Sequence, residues 1–399
     1  MDWKSANKNE DDTFDIPMRW LHIHYFEALN ILFRMENALR VFVYIILKNQ
    51  AYDKWANTML PLEKEQQTIA KTAKTRMTHA EGYGYLGYPI YSPLMYLNTG
   101  ELTHLIFSDA QWTIFKKYFK GKKDIIQTKF NEIGIVRNSL AHFRPIKIDD
   151  IELIKQNIKH AFGGIEECLK DITTISNVVP TNTKVDWYES LSKLSNEICN
   201  IQLYQSNSEE WVRIEINYSC AILNMKPSLL GWSYSYKVLN LISPSIIDKY
   251  SELGKYCTYV MEDIPYTSMG EDFKPAFKKY TSLIFSKSVI SEHHETIKKA
   301  LQSLLEKIKE ETNLIQDDNL AKGSLIESVQ TSALYKRNKY DKTKGSWSIN
   351  NENLAYPFSD NNQAEYWGDL GLLYQSDFIA GASKYPWMPS DISNNDSPF

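Results

Sequence analysis

The residues best suited to chemistry lie in one short segment, residues 130–143, which reads FNEIGIVRNSLAHF. Arg137 and His142 are five positions apart, Asn138 follows the arginine, and the other residues between them are small or apolar. If the segment is helical, positions four and five apart lie on neighbouring parts of one surface. A guanidinium can donate two parallel hydrogen bonds to a phosphate, and an imidazole beside it can exchange protons near neutral pH. Such a pair is sufficient for metal-independent RNA cleavage in which the ribose 2′-hydroxyl is the nucleophile.

The segment also lies in a basic window, residues 112–147, with nine Lys and Arg residues against two acidic ones. The whole chain has a net charge of −4. A basic cluster in an acidic protein is a candidate phosphate-binding surface, although a solvated helix face has the same composition. The candidate RNA-binding residues are Lys116, Lys117, Lys120, Lys122, Lys123 and Arg144.

The elements that must position this segment are helices, because apolar residues recur every three or four positions before and after it. Pro17 suits the first turn of a long helix over residues 17–50. Glycine, tyrosine and proline predict a loop over residues 82–93. The other predicted helices span residues 64–79, 99–119 as a pair, 123–137 and 149–174, with Thr99, Asp109 and Asp149 or Asp150 as caps.

The second half of the chain has a different pattern of polar and apolar residues. Residues 211–219 alternate between polar and apolar side chains and predict a half-buried strand. Residues 234–241 and 257–264 are weaker candidates for strands or short helices, and residues 292–313 predict an amphipathic helix. Residues 335–399 show no period and predict irregular packed structure with a loose tail.

Turn residues and a proline at residues 176–183 predict a domain boundary. We therefore expect a helical domain over 17–176, a mixed α+β domain over 184–388 and a loose tail over 389–399. The expected class is mainly α, with an N-terminal helical bundle followed by the mixed domain.

Several function classes lack support in the sequence. The cysteines, at positions 168, 199, 220 and 257, form no C-x-x-C pair, which argues against a zinc ribbon or a disulfide scaffold. The motifs of P-loop NTPases, Rossmann dehydrogenases, α/β-hydrolases and zinc proteases are missing. No metal or cofactor is predicted. The polar start and the lack of a twenty-residue apolar run predict a soluble cytoplasmic protein that does not use a membrane.

The sequence RNSLAH at residues 137–142 resembles the R-N-x-x-x-H form of the R-x4-6-H motif of the HEPN superfamily. These are all-helical domains, many of them ribonucleases of abortive-infection, toxin–antitoxin and CRISPR systems. Residues 36–40 (ENALR) resemble the end of the first helix of abortive-infection HEPN domains. Residues 97–102 (LNTGEL) through Trp112 and Phe115 to Phe119 resemble the middle segment of those domains, which runs T-x-G-x-L, an apolar stretch and then W-x-x-F. The resemblance covers residues 17–175, including a last helix at 151–174.

The resemblance implies a metal-independent endoribonuclease of antiviral defence that needs no cofactor. His142 would be the general acid and base, and Arg137 would stabilise charge on the phosphate. Asn138 would position the catalytic pair, and Glu36 would orient Arg137. A single motif in the chain implies a homodimer in which two motifs face one cleft. The implied partners are RNA, with tRNA, mRNA and rRNA not distinguished, and a phage-derived trigger or partner subunit.

One position departs from the family pattern. HEPN toxins controlled by a nucleotidyltransferase antitoxin carry a tyrosine two residues after the histidine, whereas this chain has Arg144 there. This argues against that form of control and adds a cation to the cleft.

Two alternative hypotheses stay open. In the first, the HEPN-like part is a catalytically silent module that dimerises or binds a partner or nucleotide. His142 would then be a helix-terminal histidine, and Arg137 would pair with Glu132 or Glu36. In the second, the C-terminal half is a ligand-gated switch that keeps the nuclease silent until it is triggered.

Overall fold

The computed structural model describes thirteen stretches of the chain. They are residues 7–11, 14–15, 24–61, 67–82, 92–173, 175–179, 184–227, 233–263, 268–269, 275–318, 322–337, 345–350 and 352–356. The described residues divide into two compact units, here called unit 1, which ends at Thr173, and unit 2, which follows it. Among the described helices, none combines the length and the apolar character needed to cross a lipid bilayer.

The division falls before the boundary predicted at residues 176–183. Asn177–Val178 is already a strand of unit 2, which explains the difference. The predicted helix start at Pro17, most of the predicted loop at residues 82–93, and the tail at 389–399 lie outside the described residues.

Unit 1 is built from helices and two very short strand pairs. The strand pairs are β1 (Asn7–Lys8) with β2 (Phe14–Asp15), and β3 (Met59–Leu60) with β4 (Gln67–Thr68). The described helices are α1 (Tyr25–Ala51), α2 (Ile69–Gly82), α3 (Thr99–Phe107), α4 (Asp109–Phe115), α5 (Lys123–Ala141), α6 (Ile148–Ala161) and α7 (Gly163–Thr173).

Helix α1 forms the centre of unit 1, since α3, α5, α6 and α7 all pack against it. Every side chain from Val41 to Leu47 is at most 6% exposed, so α1 is buried on all sides over two turns. A helix that is apolar all round must be enclosed by other elements. Phe42 shows how this is done, because its ring lies 5.7 Å from that of Phe115 and 5.1 Å from that of Tyr118.

The helix ends of unit 1 differ from those predicted. Asn98, not Thr99, caps α3, because its side chain accepts the Glu101 N–H at 2.9 Å and Glu101 accepts the Asn98 N–H in return. Ser108 precedes α4 in place of Asp109. The predicted helix at 149–174 is two helices that meet at Phe162.

Unit 2 combines helices with antiparallel strands. Its helices are α8 (Asp186–Leu191), α9 (Ser243–Lys249), α10 (Ser251–Tyr256) and α11 (Lys287–Asp318). Its strands are β5 (Asn177–Val178), β6 (Cys199–Gln205), β7 (Trp211–Cys220), β8 (Ile222–Pro227), β9 (Ser233–Leu241), β10 (Tyr259–Asp263), β11 (Ser268–Met269), β12 (Pro275–Ser286), β13 (Ile326–Arg337) and β14 (Gly345–Ile349).

The strands of unit 2 form two antiparallel sheets. The order of the first is β10-β12-β7-β6-β5, with β11 also paired to β12, and that of the second is β14-β13-β9-β8. Helix α11 packs against β7, β12 and β13. The Tyr218 and Thr312 hydroxyls lie 3.2 Å apart, which joins β7 to α11. Glu311 of α11 accepts the Leu325 N–H at 2.6 Å and thereby fixes the approach to β13.

Strand β7 confirms the predicted strand at 211–219, but it is more buried than predicted because it lies in the middle of the sheet. Strands β9 and β10 and helix α11 confirm the other predicted elements of this half. Residues 335–399 were predicted to be irregular, whereas β13 ends at Arg337 and β14 lies at Gly345–Ile349.

The predicted mainly α class is wrong. The antiparallel sheets of unit 2 make the chain an α+β protein. Three long strands, β6, β12 and β13, were not predicted. β12 lacks a clean alternation because both of its faces are largely buried, whereas β6 does alternate, with buried Cys199, Ile201 and Leu203 between exposed Asn200 and Gln202, and was missed.

Candidate functional site

Glu36 on α1 is the centre of the candidate site. Glu36 and Arg40 are one helical turn apart, are 9% and 8% exposed, and form an ion pair. The other Glu36 oxygen, Oε2, accepts a hydrogen bond from the Thr99 hydroxyl and lies 3.4 Å from Arg137 Nε. One carboxylate is therefore shared by two guanidinium groups, which leaves a net charge of about +1 in this cluster.

Arg40 is fully occupied with holding the structure together. Its Nε donates to the Leu94 carbonyl at 3.1 Å, Nη2 donates to the Leu97 carbonyl at 3.0 Å, and Nη1 donates to Asn37 Oδ1 at 2.7 Å. Burial lowers the pKa of Arg40, an effect that Glu36 opposes and Arg137 reinforces. The role of Arg40 is to fix the chain ahead of α3, which leaves Arg137 to meet a ligand.

Arg137 borders a cavity between the start of α1 and the end of α5. The cavity has a volume of about 220 Å³, and its polar lining is Glu36, Arg40 and Arg137. Apolar side chains complete the wall, namely Tyr25, Leu29, Leu32, Phe33, Leu140 and Ala141. The Arg137 side chain is 34% exposed, so its guanidinium is accessible from solvent. The arrangement can hold a small anion such as a phosphate group.

His142 caps the C-terminal end of α5. The helix ends at Ala141, and the His142 N–H donates to the Asn138 carbonyl at 3.2 Å. Phe143 follows in the left-handed conformation with φ 53°, its N–H donates to Leu140, and the Arg144 N–H donates to Ser139. This hydrogen-bond pattern is a Schellman motif, which fixes the direction of the chain after a helix.

The two predicted catalytic residues therefore face different surroundings. Arg137 turns toward Glu36, while His142 is exposed on the rigid turn and is not among the residues that line the cavity. That Arg137 and His142 face the same general direction stays a prediction: Arg137 lies within α5, and His142 is the residue that caps its C-terminal end. Asn138 lies on the last turn of α5 and is exposed.

Tyr25 ties the two halves of the site together. Its hydroxyl donates to the Leu140 carbonyl at 3.1 Å, and its ring stacks on Phe143 at 6.2 Å between centroids. Phe143 is 84% exposed. Sequence reasoning gave no role in the site to Tyr25, Arg40, Thr99 or Phe143. Arg40 was noted only as part of the ENALR segment and Thr99 only as a helix cap.

The predicted RNA-binding residues occupy both ends of α5. Lys122 precedes its first residue and His142 follows its last, so about 30 Å of helix axis separates them. Lys123 pairs with Asp109 at 2.5 Å, Lys120 lies 3.5 Å from Glu167, and Lys117 lies over the Tyr118 ring. Arg144 follows His142 by two residues at the C-terminal end of α5, whereas the lysines, including the exposed Lys116, lie at or before its N-terminal end.

The comparisons with known proteins add no family. No protein-family model matches this chain, and neither a curated protein nor a solved structure matches it. Among the described residues, no group of three or more His, Cys, Asp or Glu side chains is placed to hold a metal ion.

Proposed function

We propose that unit 1 is an endoribonuclease that cleaves RNA by attack of the ribose 2′-hydroxyl, without a metal, as an effector of antiviral defence. The observation that carries the proposal is the Glu36–Arg137 ion pair at the cavity. Five residues after Arg137, the exposed His142 lies on a turn that backbone hydrogen bonds hold. The resemblance of residues 137–142 to the HEPN motif supports the same function.

In the proposed reaction, a neutral His142 imidazole takes the proton of a 2′-hydroxyl. The 2′ oxygen bonds to the adjacent phosphorus, and the bond from phosphorus to the 5′ oxygen breaks. A protonated imidazole gives its proton to that leaving oxygen. Arg137 stabilises the negative charge that develops on the phosphoryl oxygens, and Glu36 holds Arg137 in place. The products carry a 2′,3′-cyclic phosphate and a 5′-hydroxyl.

A homodimer is part of the proposal. The reaction needs a base and an acid, and each chain contributes one His142 and one Arg137. The acid is then supplied by His142 of the partner subunit. In one chain, His142 does not line the Arg137 cavity. In the proposed dimer, the partner chain supplies the histidine to this cavity. We place the reaction in the cytoplasm, where RNA substrates occur.

One observation favours a second candidate, a catalytically silent module that binds a partner or nucleotide. Within one chain, His142 does not line the Arg137 cavity. The Glu36 and Arg40 contacts to Thr99, Leu94 and Leu97 would then serve to hold the helices together.

Cleavage products distinguish the two candidates. Wild type, His142→Ala, Arg137→Ala and His160→Ala are each incubated with total RNA and with tRNA in EDTA, and fragment ends are identified. His160 is an exposed histidine of α6 and serves as the matched control. The nuclease proposal expects cyclic-phosphate ends from wild type and His160→Ala, with about 10²–10⁴-fold less cleavage by His142→Ala.

The same comparison on RNA from phage-infected cells that express each protein tests a nuclease that needs a trigger. Equal cleavage by wild type and His142→Ala would refute the proposed roles. No cleavage in either setting would favour the silent module.

A further inference from the structure

A polar cavity of about 210 Å³ lies on one face of the first sheet of unit 2. Three of its lining residues form a row across neighbouring strands. Asn200 of β6 is opposite Asn217 of β7, and Asn217 is opposite Tyr280 of β12. Residues directly opposite each other on antiparallel strands share a face, with Cβ atoms about 4.5–5.5 Å apart. Two carboxamides and a phenol are thus presented side by side.

The next row of the sheet adds a positive charge. Lys278 of β12 is opposite Ser219 of β7, and both line the same cavity. Lys278 forms no ion pair with any residue that the structure describes. The carboxylate of Glu197, also in the lining, lies 2.7 Å from Lys309 Nζ, so its charge is already balanced. The cavity therefore attracts an anionic group.

Asn217 indicates that the cavity is built to receive a hydrogen-bond donor. Its Oδ1 is buried and has no hydrogen-bond partner among the described residues. A buried acceptor without a partner is costly, and folded proteins rarely keep one without a reason. Asn196 in the same lining is the opposite case, since it accepts two backbone N–H groups and donates to the Leu305 carbonyl at 2.9 Å. Asn196 is structural, whereas Asn217 is left available to a ligand.

We propose that this cavity binds a single nucleotide, with its base against Asn200 and Asn217 and its phosphate at Lys278. Carboxamides carry a donor and an acceptor in one plane and match the edges of nucleobases. The ring of Tyr280 offers a surface for stacking, and a lysine ammonium binds phosphate as a point charge. The cavity is smaller than the roughly 300 Å³ that drug-sized ligands need, so it would hold the base, while the ribose and phosphate extend toward Lys278.

The nucleotide has two sources with the same chemistry, a free mononucleotide or one residue of an RNA strand. Either would place nucleotide recognition in unit 2. The proposal does not depend on RNA cleavage by unit 1, and its test measures binding alone.

The test titrates the four ribonucleoside 5′-monophosphates and their nucleosides into the full chain by calorimetry. Asn217→Leu removes the unpartnered acceptor, and Lys278→Ala removes the cation. Asn224→Leu and Lys226→Ala, on the exposed strand β8 of the other sheet, are the matched controls. We expect binding of at least one monophosphate, weakened at least tenfold by Asn217→Leu and unchanged by the controls.

Two further readouts sharpen the result. Lys278→Ala should weaken the monophosphate and leave the nucleoside unchanged, because only the phosphate contacts the lysine. Asn217→Leu should raise the melting temperature of the free protein by about 2 °C or more, since it removes a buried unpartnered group. Competition by a ten-nucleotide RNA would assign the site to a strand, and lack of competition would assign it to a free nucleotide. The proposal is overturned if no monophosphate or nucleoside binds, or if Asn217→Leu and Lys278→Ala bind as wild type does.

Discussion

Replacing Glu36 by glutamine should reveal how strongly unit 1 depends on one buried carboxylate. Glu36 is 9% exposed and is shared by Arg40, which is 8% exposed, and Arg137. The Glu36→Gln change keeps the size of the side chain and removes its charge. Arg40 would then stay buried without an anion, and its positive charge would repel that of Arg137.

The expected loss can be estimated from these contacts. Breaking a buried ion pair by removing one partner costs about 3–5 kcal/mol. The lower end applies here, because Arg40 keeps its bonds to the Leu94 and Leu97 carbonyls and Arg137 is partly in solvent. For a unit of this size, about 3 kcal/mol corresponds to a fall of roughly 6–12 °C in the melting temperature.

Thermal unfolding followed by far-ultraviolet circular dichroism measures this shift. Glu152→Gln is the control, because Glu152 is a mostly exposed carboxylate 3.3 Å from Lys155 on the same helix. Exposed pairs of this kind contribute at most about 0.5 kcal/mol, so the control should shift by less than 2 °C. The double change Glu36→Gln with Arg40→Met should recover part of the loss, since it removes the unpaired charge. A Glu36→Gln shift no larger than that of the control would refute the central role given to Glu36.

Three other changes test separate parts of the fold. Gly164→Ala should destabilise unit 1 by about 2 kcal/mol or more, because its Cβ would lie 1.9 Å from the Tyr118 carbonyl oxygen. Gly163→Ala is the control, because its Cβ would meet nothing within 4 Å, and it should be neutral or stabilising by up to ~1 kcal/mol. Urea unfolding measures both changes. At position 143, glycine should be more stable than alanine by about 1 kcal/mol, because both lack the ring but only glycine adopts φ 53° without strain; equal midpoints in urea would contradict the Schellman geometry. Burial tends to raise the pKa of Glu311, but hydrogen bonds from the Ser324 hydroxyl and backbone N–H groups outweigh it and lower the pKa below its ordinary value. The stabilisation from Glu311 is therefore complete above the unfolded pKa of about 4.3 and is lost as the pH falls through the folded pKa. The difference in unfolding free energy between wild type and Glu311→Gln should therefore shrink between pH 5 and pH 3. A difference that stays constant over this range would contradict the argument.

The helices of unit 1 could be predicted because their buried residues recur at a regular spacing within each helix. Apolar residues of α1, α5 and α6 recur at three and four positions, and the structure buries those residues. The strands of unit 2 could not be predicted as well. Lys279 and Thr281 read as exposed positions of β12, yet both are buried, because distant parts of the chain cover them. The pattern of polar and apolar residues within one strand does not show which distant residues will cover it.

The candidate site shows the same limit on a smaller scale. The motif identified Arg137 and His142, and the resemblance suggested that Glu36 lies near Arg137. Motif spacing could not show that α5 ends at Ala141, because that end depends on a left-handed residue, Phe143, where glycine is the usual choice. Thr99 meets Glu36 only through packing of α1 against α3.

The strand pairing of unit 2 has a consequence for the order in which the chain folds. β9 pairs with β13, so that Ser233 meets Leu334, and β7 pairs with β12 across several intervening elements. Sheets closed by such distant segments form slowly, whereas helices that pack against near neighbours in sequence form fast. During synthesis the described helices of unit 1 are all complete before Thr174 is added. We therefore expect the described helices of unit 1 to pack together on the ribosome before β13 of unit 2 has been synthesised.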